Sequence, residues 1–409
     1  MIQRKVRPWL LAALRDTPVV LLHGPRQCGK TTLVRSIAEN EHRARYLTLD
    51  DSTLLSAVTE DPQGFVESVE EPLVIDEVQR VPELFLAIKA SVDRDRKPGR
   101  FLLTGSANVL LLPRLSETLA GRMEILQLWP LSQGELQGTR EDFVDRIFDS
   151  ENRFSTVEAS EKKLSDRILA GGFPEAVSRE QKGRRDKWFE SYLTTLIQRD
   201  VRDLANIEGL TDLPRLLRLL ASRVGSLQNF AEVSRATGFP QTTLKRYLSL
   251  LEASFLIQHI PAWSGNIGKR MVRSSKVFFT DTGILCHLLD ADSQLFREDR
   301  KLFGRILENF VMTQLRKELS WSESRAKLFH FRSHSGEEVD FVLTDPRGAL
   351  VGIEVKAAQS IKKNDLRGLR MMRETCGDKF LRGVILYTGS EVVPFGHDLV
   401  AVPIQNLWA

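Results

Sequence analysis

Cysteine is scarce in this chain. Three residues in 409, Cys28, Cys286 and Cys376, are too few and too scattered for a disulfide framework or a zinc cluster. A reducing, cytoplasmic setting is therefore expected. Long apolar runs are also missing: nothing approaches the about 20 residues that a membrane helix needs. The stretch Trp9–Leu14 is broken by Arg15 and Asp16, so neither a targeting segment nor a membrane partner is expected. There is no internal repeat and no low-complexity tract. An excess of charge is missing too, with 58 Lys and Arg against 54 Asp and Glu, a net of +4. What remains is 42% hydrophobic and 27% charged residues, the balance of a globular protein with real cores. This excludes collagen, a disordered tail and a disulfide miniprotein. At about 100–200 residues per domain, two to four domains are expected.

The first third alternates between strands and helices. Pro18–His23, Arg45–Asp50, Pro72–Ile75 and Arg100–Thr104 are apolar strand-like runs, and Thr32–Glu39 is helical. This alternation predicts an α/β fold with a mostly parallel sheet covered on both faces, with ligands at the carboxyl ends of its strands. From about Gln137 to Asp166 the chain turns polar and acidic. Gly171-Gly172-Phe173-Pro174 is a loop, and helical patterns follow over Asp186–Leu204 and Leu213–Arg223.

Gly24-Pro25-Arg26-Gln27-Cys28-Gly29-Lys30-Thr31 satisfies G-x-x-x-x-G-K-[ST] in full, after an apolar strand and before a helix that Thr32 enters. The glycines let backbone N–H groups turn around a phosphate, and the helix N-terminus faces the same anion. Lys30 is expected to neutralise β- and γ-phosphates, and Thr31 to offer a Mg²⁺ ligand. Leu73-Val74-Ile75-Asp76-Glu77 is an apolar strand ending in two acids, 46 residues downstream. Asp76 is expected to hold Mg²⁺ and Glu77 to orient the attacking water. A third strand ends in Thr104-Gly105-Ser106-Ala107-Asn108, so Ser106 or Asn108 can place a polar group at the γ-phosphate. Arg114 and Arg122 are candidates for a transition-state arginine, in cis or from a neighbouring copy in a homo-oligomer. Arg122 is preferred because it precedes the apolar strand Met123–Leu128, and a surface ion pair is the competing explanation.

Residues 1–135 resemble an AAA-type P-loop ATPase. Together with Val74–Gln79, Leu119-Ala120-Gly121-Arg122 and Gly171–Pro174, they resemble a widespread family of prokaryotic predicted ATPases whose C-terminal part is a domain of unknown function. The resemblance spans essentially the whole chain. It implies ATP as ligand and leaves the biological task undefined.

In the middle, Phe230–Thr237 and Gln241–Glu252 are short helices around a turn at Gly238. Two strand-like runs, Phe255–Ile260 and Lys276–Thr280, follow on either side of a basic loop. This order predicts a winged helix. Residues 206–285 hold ten Lys and Arg against five Asp and Glu, so the chain's positive excess lies here. Lys245, Arg246, Lys269, Arg270 and Arg273 are expected at DNA phosphates, with Gln241, Thr242 and Thr243 within reach of base edges. Protein contact is the alternative use of such a module.

The last hundred residues run helix, three strands, helix, strand. Glu308 lies on the helix and Asp340 in Glu338–Leu343. Glu354 and Lys356 share one face of Val351–Lys356 because side chains alternate. Carboxylates with an adjacent lysine suit Mg²⁺-assisted attack on a phosphodiester. The pattern resembles the PD-(D/E)xK nuclease superfamily, with a restriction-endonuclease-like α/β fold. It implies Glu308, Asp340 and Glu354 as metal ligands and Lys356 as a catalytic residue, although Val339 stands where the motif's proline belongs.

The expected organisation is an ATPase domain (1–135), a polar connector (136–205), a winged helix (206–290) and a nuclease-like domain (291–409). The expected function is an ATPase acting with DNA. The alternative is a nucleotide-dependent signalling switch whose C-terminal domain is a non-catalytic scaffold for a protein partner.

Overall fold

Five short β-branched and leucine-rich runs, each bounded by turn residues, form one parallel sheet. They are β1 (Val19–His23), β2 (Arg45–Thr48), β3 (Leu73–Asp76), β4 (Phe101–Gly105) and β5 (Met123–Gln127), in the order β2-β3-β4-β1-β5. Alternation sends the side chains to opposite faces. Val20 and Leu22 pack with Val74, Leu102 and helices α1 (Arg7–Asp16) and α2 (Lys30–Asn40). Leu21 packs with Ile75, Leu103 and helix α3 (Leu84–Arg94). Both faces are therefore covered, as a parallel sheet requires. Leu22 pairs with Thr104 and Thr48 with Asp76, so the carboxyl ends of β1 to β4 share one edge. These are the strands read from the sequence, with ends moved by one or two residues.

The computed structural model describes residues 2–106, 119–149, 154, 156, 163–201, 212–265, 274–333 and 336–409. The chain forms two compact units, 1–131 with 252–255, and 132–251 with 256–409. Within the second unit one hydrophobic cluster runs from Phe143 to Trp408, and a second, which includes Phe329, Val339, Met372 and Tyr387, lies in its C-terminal part. The stretch expected to be a polar connector contains a helix, Phe143–Phe148, with Phe143, Val144 and Ile147 buried. Six residues are too few to show helical periodicity among the surrounding acids.

In the second unit, helices α4 (Leu213–Ser222), α5 (Phe230–Thr237) and α6 (Gln241–Ala253) precede an antiparallel pair, β6 (Ile257–Ile260) and β7 (Lys276–Phe279). Gly238 closes α5 at φ +80, which a side chain would resist. Leu244, Tyr247, Leu248 and Leu251 are the buried stripe of α6. Helices α7 (Thr282–Leu288) and α8 (Arg300–Glu318) lead to a six-stranded mixed sheet. Its strands are β8 (Lys327–Arg332), β9 (Glu338–Thr344), β10 (Leu350–Lys356), β11 (Phe380–Tyr387), β12 (Val393–Pro394) and β13 (Leu399–Pro403), in the order β12-β13-β11-β10-β9-β8. Helix α9 (Arg367–Cys376) connects β10 to β11.

The Gly171-Gly172 turn has a specific partner. Asp281 accepts from the Gly172 N–H at 2.7 Å and caps α7 through the N–H groups of Gly283 and Ile284. A Cβ on Gly171 would stand 2.1 Å from that carboxylate, so the turn tolerates no side chain there. No helix among the described residues is long and apolar enough to cross a membrane.

Candidate functional site

In the first unit the glycine loop sits at the carboxyl edge of the sheet. Gly24 passes so close to the backbone after β5 that a Cβ would lie 2.0 Å from the Leu128 carbonyl, and Gly29 enters α2 at φ +100. Cys28 is buried, its thiol donating to the Leu128 carbonyl at 3.3 Å. Arg4 donates to the carbonyls of Cys28 (2.7 Å) and Trp129 (2.6 Å), clasping the loop from α1's side. Lys30 is buried and donates to the carbonyls of Gly24 and Pro25, both at 2.9 Å. The loop's own oxygens thus hold the ammonium expected at phosphates. Gln27 has φ +58, and Thr32 is exposed on the first turn of α2. His23, just before the loop, is pushed down to about 4 by burial and, secondarily, by Lys30.

Asp76 ends β3 beneath the loop, and three hydroxyls donate to it. Thr31 does so at 2.8 Å, Tyr46 at 2.7 Å, and Thr104 to the other oxygen. Tyr46 is pushed up to about 12 by burial and by its bond to Asp76. Glu77 follows in the left-handed region at φ +61, a strained backbone for a glutamate. Its carboxylate accepts from Ser106 at 2.9 Å and from Gln79, and Gln79 also donates to Ser106 at 2.9 Å. The oxygen pair of Thr31 and Asp76 suits a hard divalent ion such as Mg²⁺.

The structure thus brings together Gly24–Thr32, Asp76, Glu77 and Ser106. It adds Arg4, Tyr46, Gln79 and Thr104, which the motif reading passed over. Gln79 and Thr104 lie inside segments already marked by their acids and turns, whereas Arg4 and Tyr46 carry no local signal. Arg122 is not at this edge. Its carbonyl accepts from Val19, the first residue of β1, and its side chain bonds Asp93 and the Ala120 carbonyl. The nucleotide loop follows the other end of the same strand, so the expected cis role of Arg122 is corrected to an ion pair at the opposite edge. Asn108 and Arg114 lie outside the described residues.

The second unit holds a separate acidic centre. Asp340 on β9 accepts from the Val355 N–H at 2.8 Å, and Lys356 donates to Glu354 at 3.3 Å. Glu354 is held well above the carboxylate range by burial and then by Asp340. Burial alone would lower Lys356, but Glu354 and Asp340 outweigh it and raise it. A cavity of about 430 Å³ opens here, lined by Glu338, Asp340, Glu354, Lys356 and Arg367 among others. Gly368 lets α9 approach, since a Cβ there would lie 1.9 Å from the Glu338 carbonyl oxygen.

Glu308 reaches this centre in company. Lys276 of β7 places its ammonium 3.0 Å from Glu308, 3.9 Å from Glu338 and 3.9 Å from Asp340. Burial would lower this lysine, but Glu308 and Asp340 hold it above its ordinary value. Burial raises Glu308 to about 7 against the pull of Lys276. Among the described residues no group of three His, Cys, Asp or Glu side chains is arranged to hold a metal ion. The set Glu308, Asp340 and Glu354 therefore does not fit a resident Mg²⁺, because Lys276 stands between two of its members.

Lys276 is one of the ten cations of residues 206–285, and it faces inward. On α6, Gln241, Thr242, Lys245 and Arg246 are exposed and Thr243 is half-buried. The Lys245 ammonium lies 5.4 Å from the centre of the Phe230 ring. Lys269, Arg270 and Arg273 lie outside the described residues.

Comparison with known proteins follows this division. Residues 16–137 match a family described as an AAA domain. Residues 161–295 and 303–407 match two domains of unknown function, DUF8612 and DUF4143. An uncharacterized protein of Mycobacterium tuberculosis is 32% identical over 400 residues, covering 97% of this chain and 82% of that protein. An uncharacterized protein of Methanocaldococcus jannaschii is 23% identical over 363 residues, 85% of this chain and 77% of that one. AMPPCP-bound DnaA from Aquifex aeolicus aligns with a TM-score of 0.29 at 17% identity, covering 61% of this chain and 86% of that one. A likeness of that size carries no functional weight. The match to the mycobacterial protein and the glycine loop above Asp76 lead to one conclusion: the chain belongs to that protein's family, and its first unit is an AAA-type P-loop ATPase domain.

Proposed function

We propose that this chain is a Mg²⁺-dependent ATP hydrolase that works on DNA. One observation carries the hydrolase reading: Thr31 lies 2.8 Å from Asp76 beneath a complete glycine loop. In this reading Lys30 exchanges the carbonyls of Gly24 and Pro25 for the β- and γ-phosphates, gaining charge-assisted bonds. The loop N–H groups and the start of α2 receive the remaining phosphate charge. Thr31 and Asp76 would hold Mg²⁺, which supplies neutralisation of phosphate oxygens when bound. Glu77 leaves Ser106 and Gln79 to orient the attacking water, and Ser106 then senses the γ-phosphate. ATP turnover measured in wild type and Lys30→Ala tests this, and equal rates would refute it.

The DNA part rests on α5, the Gly238 turn and α6, which precede an antiparallel pair in the order of a winged helix. Exposed Gln241, Thr242, Lys245 and Arg246 on α6 support base and phosphate contact. Lys269, Arg270 and Arg273 would add phosphate contacts from the loop between the strands. Duplex binding that weakens steeply with salt, and is lost in Lys245→Ala/Arg246→Ala, is the expected result.

A second reading is a nucleotide-dependent switch whose C-terminal sheet is a non-catalytic scaffold. The Lys276 ammonium between Glu308 and Asp340 favours it over a nuclease. Mg²⁺-dependent cleavage by wild type, absent in Asp340→Ala, would exclude this reading. Arg122 serves hydrolysis only from a neighbouring copy, which predicts a turnover per chain that rises with protein concentration.

A further inference from the structure

The acidic centre of the second unit has a charge problem that its neighbours have already solved. Glu354 is a buried carboxylate and Glu308 a largely buried one, its side chain 14% exposed, with Asp340 and Glu338 beside them. Bringing such groups together away from water requires a cation or protonation. In a nuclease-like arrangement that cation is a divalent ion bridging the helical acid and the strand acid. Here the helical acid, Glu308, meets the ammonium of Lys276 at 3.0 Å, and the strand acid, Asp340, lies 3.9 Å from the same nitrogen. The lysine side chain is 4% exposed. It is also well anchored. Lys276 opens β7, pairs with Ile260 of β6 and bridges to Leu227 on its other side. Gly225, whose N–H donates to the Val277 carbonyl, allows the approach, since a Cβ there would stand 3.0 Å from Glu308.

We propose that Lys276 is a built-in counter-ion of this centre: its ammonium takes the position between Glu308 and Asp340 that a divalent cation would need, and so bars that cation while tying β7 to α8 and β9. The centre of the wild-type chain is then metal-free by design, and its second lysine, Lys356, balances Glu354 from the cavity side. The proposal concerns only the second unit, and holds whether or not the first unit turns over ATP or α6 meets DNA.

Mn²⁺ is the probe, titrated into the full-length, nucleotide-free protein and followed by electron paramagnetic resonance. An Asp76→Asn background removes the first unit's own cation ligand. The expected result is no binding that depends on Asp340 when Lys276 is present. Lys276→Gln should gain at least tenfold in Mn²⁺ affinity, and adding Asp340→Asn should abolish the gain. Lys276→Arg, which keeps the charge, should remain closed. Mn²⁺ binding that Asp340→Asn removes while Lys276 is in place would overturn the proposal, as would a folded Lys276→Gln protein that gains nothing. Should Lys276→Gln fail to fold, reductive methylation of the Asp76→Asn protein reads the same lock. Lys276 should react at least tenfold more slowly than exposed Lys245, with no acceleration by millimolar Mn²⁺. Acceleration by Mn²⁺, or equal labelling, would overturn it.

Discussion

Each unit sets a buried or half-buried acid on a strand, Asp76 at the end of β3 and Asp340 within β9, and the two units serve those acids differently. Asp76 receives three hydroxyl donors, from Thr31, Tyr46 and Thr104. Asp340 receives a backbone N–H and faces an ammonium. Hydroxyls stabilise a carboxylate yet leave its charge in place, so Asp76 is still able to attract a cation brought in with a nucleotide. An ammonium cancels charge, so the second centre is already balanced. Two acid clusters that look alike in sequence, each next to a lysine motif, are thus in opposite electrostatic states.

The largest expected effect tests the first of these. Lys30→Ala should reduce ATP turnover at least about 100-fold, measured by phosphate release, because charge stabilisation at the transferring phosphoryl group is lost. Next comes the second centre. Lys276→Ala leaves Glu308 buried without its partner and should cost about 3–5 kcal/mol of stability in urea unfolding. Lys276→Met with Glu308→Gln removes both charges and should recover most of that loss. If the single and double variants are equally unstable, the ammonium is not what balances the acids.

A third test concerns Glu141, an acid of the second unit held by the Ser132 hydroxyl and the Gly134 N–H. Burial is the main cause that raises it from 4.5 to about 7, with Glu135 adding and Lys317 opposing. The folded state therefore binds its proton more tightly than the unfolded chain. That contribution is complete below about 4.5 and is lost as pH rises through about 7, a change of about 3 kcal/mol. Glu141→Gln should flatten the stability profile over this window, and an unchanged slope would show that neutral donors suffice to keep a buried acid charged. The smallest effect is at Tyr46. Tyr46→Phe removes one of three donors to Asp76 and should cost about 1 kcal/mol, read as a change of several-fold in the Mg²⁺ needed for half-maximal turnover.

The sequence made the first unit legible because its signals are local and redundant. A glycine loop, an acid-tipped strand and alternating strand–helix punctuation all point to one topology, and β1 to β5 lie where the apolar runs lie. The second unit was legible in its pieces. Phe230–Thr237 is the helix read from the sequence, and β9 and β10 carry Asp340, Glu354 and Lys356 on neighbouring strands. What stayed hidden depends on contacts far apart in the chain. Nothing in the short acidic stretch around Phe143 reveals that Val144 donates to Glu318, 174 residues on, at 2.6 Å. Nothing near Lys276 distinguishes it from the cations of the adjacent loop, because the acids it meets come from α8 and β9. Arg122 was misplaced for the opposite reason: proximity to a strand says nothing about which end of that strand the residue occupies.

The joint between Gly172 and Asp281 has a consequence for the way the chain is made. Its two halves are separated by 109 residues, and Thr139 donates to the carbonyl of Trp408, 269 residues later. At about 5–20 residues per second, the glycine turn waits about 5–20 s for its carboxylate to be synthesised, and Thr139 waits longer still. Most of the first unit has its strands in hand by residue 131, whereas the apolar faces of Phe143, Phe173 and Phe189 emerge well before the partners that cover them. During synthesis the second unit is therefore the half of the molecule that must be kept from sticking to other chains.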